Sequence, residues 1–313
     1  MKSFLGIDTS NYTTSCAVYS SDGTIIQKKK LLPVKRGELG LRQSDAVFHH
    51  TVGLPELMKS LFSDFDGSIS AIGVSDAPRR AEGSYMPCFL AGVNAASCIS
   101  SVSGMPLYRF SHQQGHIAAA VYSSGRSELF EREFIAFHVS GGTTDCLLVK
   151  PDKDDIIKVE MLASSLDLKA GQAVDRVGVM LGFPFPAGRF VDELAQKSER
   201  KYKLNIKLKG ADCCLSGVEN KCRKMLEDGE KKEDICRYCI DYIISALEKM
   251  ADYQLREKGS MPLLFAGGVM SSKVISSYFK NKYGAYFASP EFSSDNAAGT
   301  ALLAYMKYER QSG

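Results

Sequence analysis

The chain of 313 residues has no tryptophan and only five histidines, so each histidine can be considered individually. Lys and Arg (39) nearly balance Asp and Glu (36), and the net charge is only +3. This balance excludes a strongly basic nucleic-acid coat protein but leaves room for a local basic surface. No apolar run approaches the roughly 18 residues of a membrane helix, so no membrane association is expected. Apolar residues make up 44% of the chain, which excludes intrinsic disorder.

Cysteine usage favours a reducing environment. The nine cysteines are an odd number, whereas a secreted disulfide framework is usually even. The N-terminus reads directly into a strand without a signal-peptide pattern, so we expect a cytoplasmic location. Cys236 and Cys239 form a CxxC pair, but they lie on a helical apolar stripe with Ile243 and Leu247. This spacing favours core packing over a zinc site.

Two halves of the chain share one order of elements. Strand, hydroxyl-rich turn and strand occur at 3–19 and again at 133–149. Apolar periodicity predicts helices near 48–65, 234–257 and 294–308. The pattern predicts a duplicated α/β unit with mixed sheets covered by helices.

The hydroxyl-rich turns are candidates for phosphate binding. The turn at 140–144 (SGGTT) has two glycines that would let the backbone approach a ligand, and 8–10 (DTS) is its counterpart in the first half. Ala-Gly-Gly at 266–268 follows a later strand and adds to the pattern. An ordinary hairpin turn remains the alternative for each.

A histidine pair is the candidate metal site. His112 and His116 are spaced i, i+4, which puts both imidazoles on one helix face. Ser111 is a plausible N-cap, and Gly115 indicates close approach of another group. Asp295, before a helix of small residues, is the candidate third ligand. Two capping surface histidines and a simple N-cap aspartate are the alternatives.

A carboxylate within an apolar helix and a basic stretch are two further candidates for binding. Asp175 interrupts an apolar helix, so its carboxylate either faces solvent or accepts a ligand hydroxyl. The stretch 197–209 holds six cations and one acid, with Tyr202 among them. It is either a solvated face or a surface for an RNA backbone.

These motifs, in this order, resemble the TsaD/Gcp family, tRNA threonylcarbamoyladenosine synthases formerly described as O-sialoglycoprotein endopeptidases. The matching segments span nearly the whole chain: 6–10 (GIDTS), 112–116 (HQQGH), 139–142 (VSGG), 171–176 (GQAVDR), 186–188 (PAG), 216–217 (SG), 266–269 (AGGV) and 292–296 (FSSDN). The resemblance implies an α/β actin-like ATPase (ASKHA) fold of two duplicated RNase H-like lobes with a ligand cleft between them. We expect an N-terminal lobe of 1–108 plus 294–313, and a C-terminal lobe of 109–293 that carries the metal and nucleotide motifs.

The resemblance also implies a site. It makes His112, His116 and Asp295 the ligands of one divalent metal: iron, zinc or magnesium. It assigns the binding of an adenine nucleotide or acyl-adenylate to His138, Val139, Ser140, Gly141, Gly142, Asp175, Gly188, Asp192 and Ser272. In the family, the adenine amine of tRNA attacks the carbamoyl carbon of a threonylcarbamoyl-adenylate and releases AMP. The implied partners are an adenylate-type small molecule, tRNA, and a TsaB-like or other actin-like protein.

The chain departs from the family pattern near the reactive centre. Residues 11–14 (NYTT) replace Cys-Asp-Glu-Thr, Gln114 replaces a glutamate, Glu219 replaces a lysine, and Ser272 replaces an asparagine. No catalytic residue is therefore assigned. Three readings stay open: a threonylcarbamoyl transferase acting on tRNA, a carbamoyl-type transferase with another acceptor, and a paralogue that binds nucleotide and metal in a partner complex without turnover. The endopeptidase activity is not expected, because Gln113 stands where HExxH has its general base.

Overall fold

The computed structural model describes residues 1–10, 12–33 and 41–312. Asn11, part of the predicted first turn, lies outside the described residues. The chain divides into two compact units. The first comprises Met1–Phe130, Pro151–Val159 and Ser294–Gly313, and the second comprises Glu131–Lys150 and Glu160–Ser293.

The first unit is built on a five-stranded mixed sheet. Its strands are β1 (Ser3–Ser10), β2 (Thr13–Ser20), β3 (Ile25–Leu31), β4 (Ile69–Ala77) and β5 (Leu107–Ser111), in the order β3-β2-β1-β4-β5. The first three strands are antiparallel neighbours, and β4 and β5 continue the sheet in parallel. Helices cover it: α1 (Gln43–Ser63), α2 (Phe89–Ser103), α3 (His112–Ser123) and α9 (Ala298–Ser312). Because helices pack against β1, apolar side chains are buried along it, such as Leu5 and Ile7.

The second unit has a sheet of the same order. Its strands are β6 (Phe134–Val139), β7 (Thr144–Asp152), β8 (Ile156–Ser164), β9 (Leu263–Ala266) and β10 (Tyr286–Phe287), ordered β10-β9-β6-β7-β8. The parts of β7 and β8 within Pro151–Val159 are grouped with the first unit. Its helices are α4 (Ala170–Met180), α5 (Gly188–Ala195), α6 (Gly217–Glu227), α7 (Lys232–Lys258) and α8 (Lys273–Tyr283). Read by strand number within each half, both sheets run 3-2-1-4-5, so the predicted duplication is confirmed. Among the described helices, none is both long and apolar enough to cross a bilayer.

The boundary between the units differs from the expected one. The first unit extends to Phe130 instead of ending at residue 108, because α3 packs against α9. A β-carbon on Gly299 would lie only 1.9 Å from the carbonyl oxygen of Gly115, so these helices touch backbone to backbone. His112 and His116 therefore belong to the first unit, and their assignment to a C-terminal lobe of 109–293 was wrong.

The CxxC pair is part of the core. Cys236 and Cys239 on α7 are fully buried in the hydrophobic core of the second unit. Burial raises the pKa of the Cys236 thiol to about 12, which keeps it protonated. The prediction of core packing is confirmed.

Candidate functional site

The start of α3 places the two histidines. The hydroxyl of Ser111 accepts a hydrogen bond from the backbone N–H of Gln114 (3.2 Å), and the Gln114 amide oxygen accepts one from the Ser111 N–H (2.8 Å). This capping box fixes His112 as the first helical residue. His116 follows one turn later, and the two ring centroids are 4.4 Å apart.

Asp295 completes a cluster with these histidines. Its Oδ1 lies 2.9 Å from His116 Nε2 and 3.6 Å from His112 Nε2, and its Oδ2 accepts a hydrogen bond from the Ser10 hydroxyl (3.1 Å). One ligand atom from each of the three residues lies within 4.8 Å of the others. Burial raises the pKa of Asp295, but hydrogen bonds and charge from both imidazoles hold it well below its usual value. The structure thus brings together all three predicted metal residues.

Asp8 orients the first histidine. It is buried near the end of β1, and its Oδ2 lies 2.8 Å from Nδ1 of His112. An Nδ1–H that donates to this carboxylate leaves the Nε2 lone pair for a metal, as in carboxylate–histidine–metal arrangements. Burial lowers the pKa of His112, but Asp8 and Asp295 together raise it to about 10, so a metal that binds here would have to displace the Nε2 proton. From the sequence, Asp8 was expected in a phosphate turn at the end of an apolar strand; its contact with His112, 104 positions away, has no local signal.

The donor set fits a divalent metal ion. Two imidazoles and one carboxylate are typical ligands of iron and zinc, and three protein ligands leave coordination positions open. The buried Asp8 beside the cluster supplies the supporting carboxylate that such sites use.

Gln114 faces away from this cluster. Its side-chain nitrogen donates to the carbonyl oxygen of Ile157 (2.8 Å), and its side-chain oxygen is taken up by Ser111. Both ends of the amide are thus used inside the first unit. Gln114, which stands where the family has a glutamate, therefore caps the N-terminus of α3.

The first hydroxyl-rich turn supports the fold and the cluster of His112, His116 and Asp295. The Thr9 hydroxyl donates to the carbonyl of Cys88 (3.0 Å) and accepts from the N–H of Gly92 (3.1 Å), which ties β1 to α2. Ser10 contacts Asp295 and Asp8 contacts His112, as described above. The described part of this turn thus presents these groups to the protein itself, and phosphate binding at 8–10 stays a prediction.

A cavity of about 670 Å³ in the second unit contains part of the predicted nucleotide site. Five of the predicted residues line it: Gly141, Asp175, Gly188, Asp192 and Ser272. The others, His138, Val139, Ser140 and Gly142, lie on β6 and in the turn that follows it. The cavity is of a size that accommodates a small molecule.

The turn at 140–144 closes tightly against α4. The Ser140 hydroxyl accepts hydrogen bonds from the N–H groups of Gly142 (3.3 Å) and Thr143 (3.1 Å). The Thr144 hydroxyl accepts one from the first N–H of α4, that of Ala170 (2.9 Å). The turn therefore lies beside a helix N-terminus, where backbone N–H groups favour an anion.

Asp175 lies on α4 and lines the cavity. Its Oδ1 accepts a hydrogen bond from the N–H of Ala187 (2.7 Å). Burial raises its pKa, and the backbone N–H groups of Ala187 and Gly188 counteract that rise. A carboxylate has more acceptor positions than these bonds use, so Asp175 can also accept a hydroxyl from a ligand.

Asp192 and Ser272 are bonded to each other. The Ser272 hydroxyl donates to Asp192 Oδ1 and accepts from the N–H of Ile275 (3.2 Å), which caps α8. Asp192 Oδ2 also accepts from the N–H of Lys273 (3.2 Å) and the amide of Gln196 (2.9 Å). In this conformation Asp192 and Ser272, both predicted to contact the nucleotide, hold α5 and α8 together at the edge of the cavity.

A comparison with protein families assigns the chain to one family. A family model described as TsaD, tRNA N6-adenosine threonylcarbamoyltransferase, matches residues 34–302. The chain belongs to the TsaD family. Among the TsaD relatives, a tRNA N6-adenosine threonylcarbamoyltransferase of Sulfurihydrogenibium sp. is 28% identical over 98% of this chain and 91% of its own. That of Methanopyrus kandleri is 23% identical over 97% of this chain and 87% of its own.

Longer TsaD relatives also match. A probable bifunctional tRNA threonylcarbamoyladenosine biosynthesis protein of Methanocaldococcus jannaschii is 24% identical over 97% of this chain. The chain spans 55% of that relative's length.

Solved structures with the same fold are more distant in sequence. HypF from T. kodakarensis superposes on 99% of this TsaD-family chain and 47% of its own, with a TM-score of 0.62 and 11% identity. Component A of (R)-2-hydroxyglutaryl-CoA dehydratase from Acidaminococcus fermentans gives 0.57 over 99% and 100% of the two chains, at 15% identity. The predicted actin-like ATPase fold is confirmed.

Proposed function

We propose that this chain transfers a threonylcarbamoyl group from its adenylate to N6 of an adenosine in tRNA. Family membership supports the reaction class. The observation that carries the proposal is the convergence of His112, His116 and Asp295 with Asp8 behind them, because this cluster has the donors and the support of a metal centre.

The cluster would hold the metal through the two imidazoles and the Asp295 carboxylate. When bound, a divalent metal there supplies Lewis acidity toward phosphate or carbamoyl oxygens. Two nitrogen donors favour iron or zinc over magnesium, which prefers all-oxygen sites. Asp8 would keep His112 in the tautomer whose Nε2 can bind.

The adenylate would bind in the cavity of the second unit. Asp175 would accept a ribose hydroxyl, and the backbone around Gly141, beside the N-terminus of α4, would take the phosphate. In the reaction, the adenosine amine forms a bond to the carbamoyl carbon and loses a proton. The bond from that carbon to the phosphate oxygen breaks, and AMP leaves.

A second candidate is binding without turnover, or transfer to an acceptor other than tRNA. Positions 12 and 13, where the family has Asp and Glu, hold the exposed Tyr12 and the buried Thr13 in this chain. No carboxylate is present there to take up a proton from an acceptor amine.

The deciding experiment is AMP release from threonylcarbamoyl-adenylate by the purified chain, with and without tRNA and with and without a TsaB-like partner. We expect release that requires tRNA, and loss of it in His116→Ala. His49→Ala, on α1 and outside the cluster, is the matched control and should stay active. Adenylate binding without AMP release under any of these conditions would support binding without turnover. AMP release at the same rate with and without tRNA would indicate another acceptor.

A further inference from the structure

A segment between α5 and α6 alternates strictly between exposed and partly buried residues. From Arg200 to Lys209, the even positions 202–208 are apolar or aromatic and partly buried, and the odd positions 201–209 are polar or charged and exposed. Alternation with a period of two is the property of an extended chain. The segment nevertheless forms no strand of either sheet. The exposed side chains at the odd positions therefore lie along one line on the surface.

The inner face fixes the segment in place. Tyr202, Ile206 and Leu208 pack against the core of the second unit. The N–H of Tyr202 donates to Asp241 on α7 (2.8 Å), and the Tyr202 ring lies 5.2 Å from that of Tyr238. The outer side chains are thus carried by an anchored backbone.

The outer face carries an unpaired row of cations. We call Lys201, Lys203, Lys207 and Lys209 the lysine row. All four are exposed, and in the described part of the chain no carboxylate lies within 4.0 Å of their amino groups. Arg200 beside them shows the contrast, because it pairs with Glu230 (2.7 Å) and Asp234 (3.3 Å). The lysine row is therefore available to an anion from outside.

A basic groove adjoins the end of this row. It has a volume of about 590 Å³ and is lined by Leu208, Lys249, Tyr253 and Arg256, among others. The Arg256 guanidinium lies 6.0 Å from the centre of the Tyr253 ring. One acid, Asp252, also lines the groove, but it accepts a hydrogen bond from the Tyr283 hydroxyl (2.6 Å). Cations beside an aromatic ring are the side chains that bind nucleic-acid backbone and bases.

We propose that the lysine row and this groove bind the sugar-phosphate backbone of the acceptor RNA. This inference rests on the proposed function, because a transferase acting on tRNA must hold the RNA by a surface away from the reacting atoms. Alternate residues of an extended chain are about 6.6 Å apart. That spacing is similar to the separation of successive phosphates along a nucleic-acid strand. The cations form two pairs at this spacing, separated by the uncharged Asn205, and unpaired cations in line next to Tyr253 fit a regular polyanion better than the irregular charge pattern of an acidic protein.

The test is the salt dependence of tRNA binding by the full chain. One variant replaces the lysine row with glutamine: Lys201→Gln, Lys203→Gln, Lys207→Gln and Lys209→Gln. A matched control replaces four other exposed lysines: Lys59→Gln, Lys153→Gln, Lys221→Gln and Lys231→Gln. Both variants lower the net charge by 4, from +3 to −1. We expect the slope of log K against log salt to fall by about 3 in the first variant and by less than about 1 in the control.

Equal slopes in the two variants would overturn the proposal. A second measurement uses only the native chain: acetylation of lysines, read by mass spectrometry, with and without tRNA or polyglutamate. We expect tRNA to protect the lysine row and to leave Lys59 and Lys153 reactive. Protection by polyglutamate but not by tRNA would indicate an acidic protein partner and would also overturn the proposal.

The proposed function is checked separately with threonylcarbamoyl-adenylate. The lysine-row variant should bind this adenylate as tightly as the native chain does. Native protein that binds tRNA through the row but releases no AMP would refute the transferase and leave the RNA surface standing.

Discussion

Replacing Gly299 with alanine should separate α3 from α9 and disrupt the cluster of His112, His116 and Asp295. A β-carbon at position 299 would lie 1.9 Å from the Gly115 carbonyl oxygen and 2.6 Å from the Ala119 nitrogen. Both are backbone atoms, so no side chain can rotate away. Ordinary contact begins near 3.4 Å, and going from 1.9 Å to 3.4 Å requires a shift of about 1.5 Å. That shift acts on the helix that carries His116 and on the helix that follows Asp295.

The substitution should weaken metal binding strongly and lower the free energy of unfolding moderately. Overpacking of this kind destabilises a protein by about 1–3 kcal/mol. Metal ligands must keep their distances within about 0.2 Å, so a displacement of about 1.5 Å should abolish tight binding. Metal affinity should therefore fall far more than the free energy of unfolding.

Gly53→Ala is the matched control. Gly53 lies inside α1, and a β-carbon there would meet only the Thr14 hydroxyl, at 4.0 Å. Alanine favours a helix interior by about 1 kcal/mol over glycine, so this variant should be as stable as the native chain or more so. Urea unfolding and metal titration of both variants test the reasoning. Native stability and native metal affinity in Gly299→Ala would refute it.

Two other substitutions probe the surroundings of the cluster. Asp8→Asn should weaken metal binding about 10- to 100-fold, because the amide holds the His112 tautomer less firmly than the carboxylate does; Asp66→Asn, an exposed control, should leave the titration unchanged. Gln114→Glu restores the family residue but loses the donor to Ile157, so unfolding measurements should show a loss of about 1–3 kcal/mol and assays no gain in AMP release. The first idea fails if Asp8→Asn binds metal normally, and the second fails if Gln114→Glu is as stable as the native chain and more active.

The sequence was sufficient for the duplicated sheets and for naming the residues that the structure brings into one cluster, His112, His116 and Asp295. Alternation of short apolar strands with hydroxyl-rich turns is a local pattern, so the repeat at 3–19 and 133–149 could be found without knowing which strands pair. The i, i+4 spacing of His112 and His116 likewise determines that they share a helix face. Asp295, 179 positions beyond His116, could be proposed from its place before a helix of small residues, but no spacing rule joins it to the histidines.

Long-range contacts account for what the sequence analysis missed. Asp8 contacts His112 across 104 positions, and Gln114 contacts Ile157 across 43, so neither partner could be inferred from spacing. The unit boundary was misplaced for the same reason, because the packing of α3 on the distant α9 decides it. Gly115 did signal the close approach of another group, and that group is α9.

The central claim is tested most directly by following the transferred group into RNA. Purified chain is incubated with tRNA and adenylate carrying isotope-labelled threonine, and the digested nucleosides are analysed by mass spectrometry together with released AMP. We predict one labelled adenosine derivative for each AMP released in the native chain, and neither product in Asp295→Asn. Release of AMP without labelled adenosine, or equal labelling in Asp295→Asn, would contradict the account.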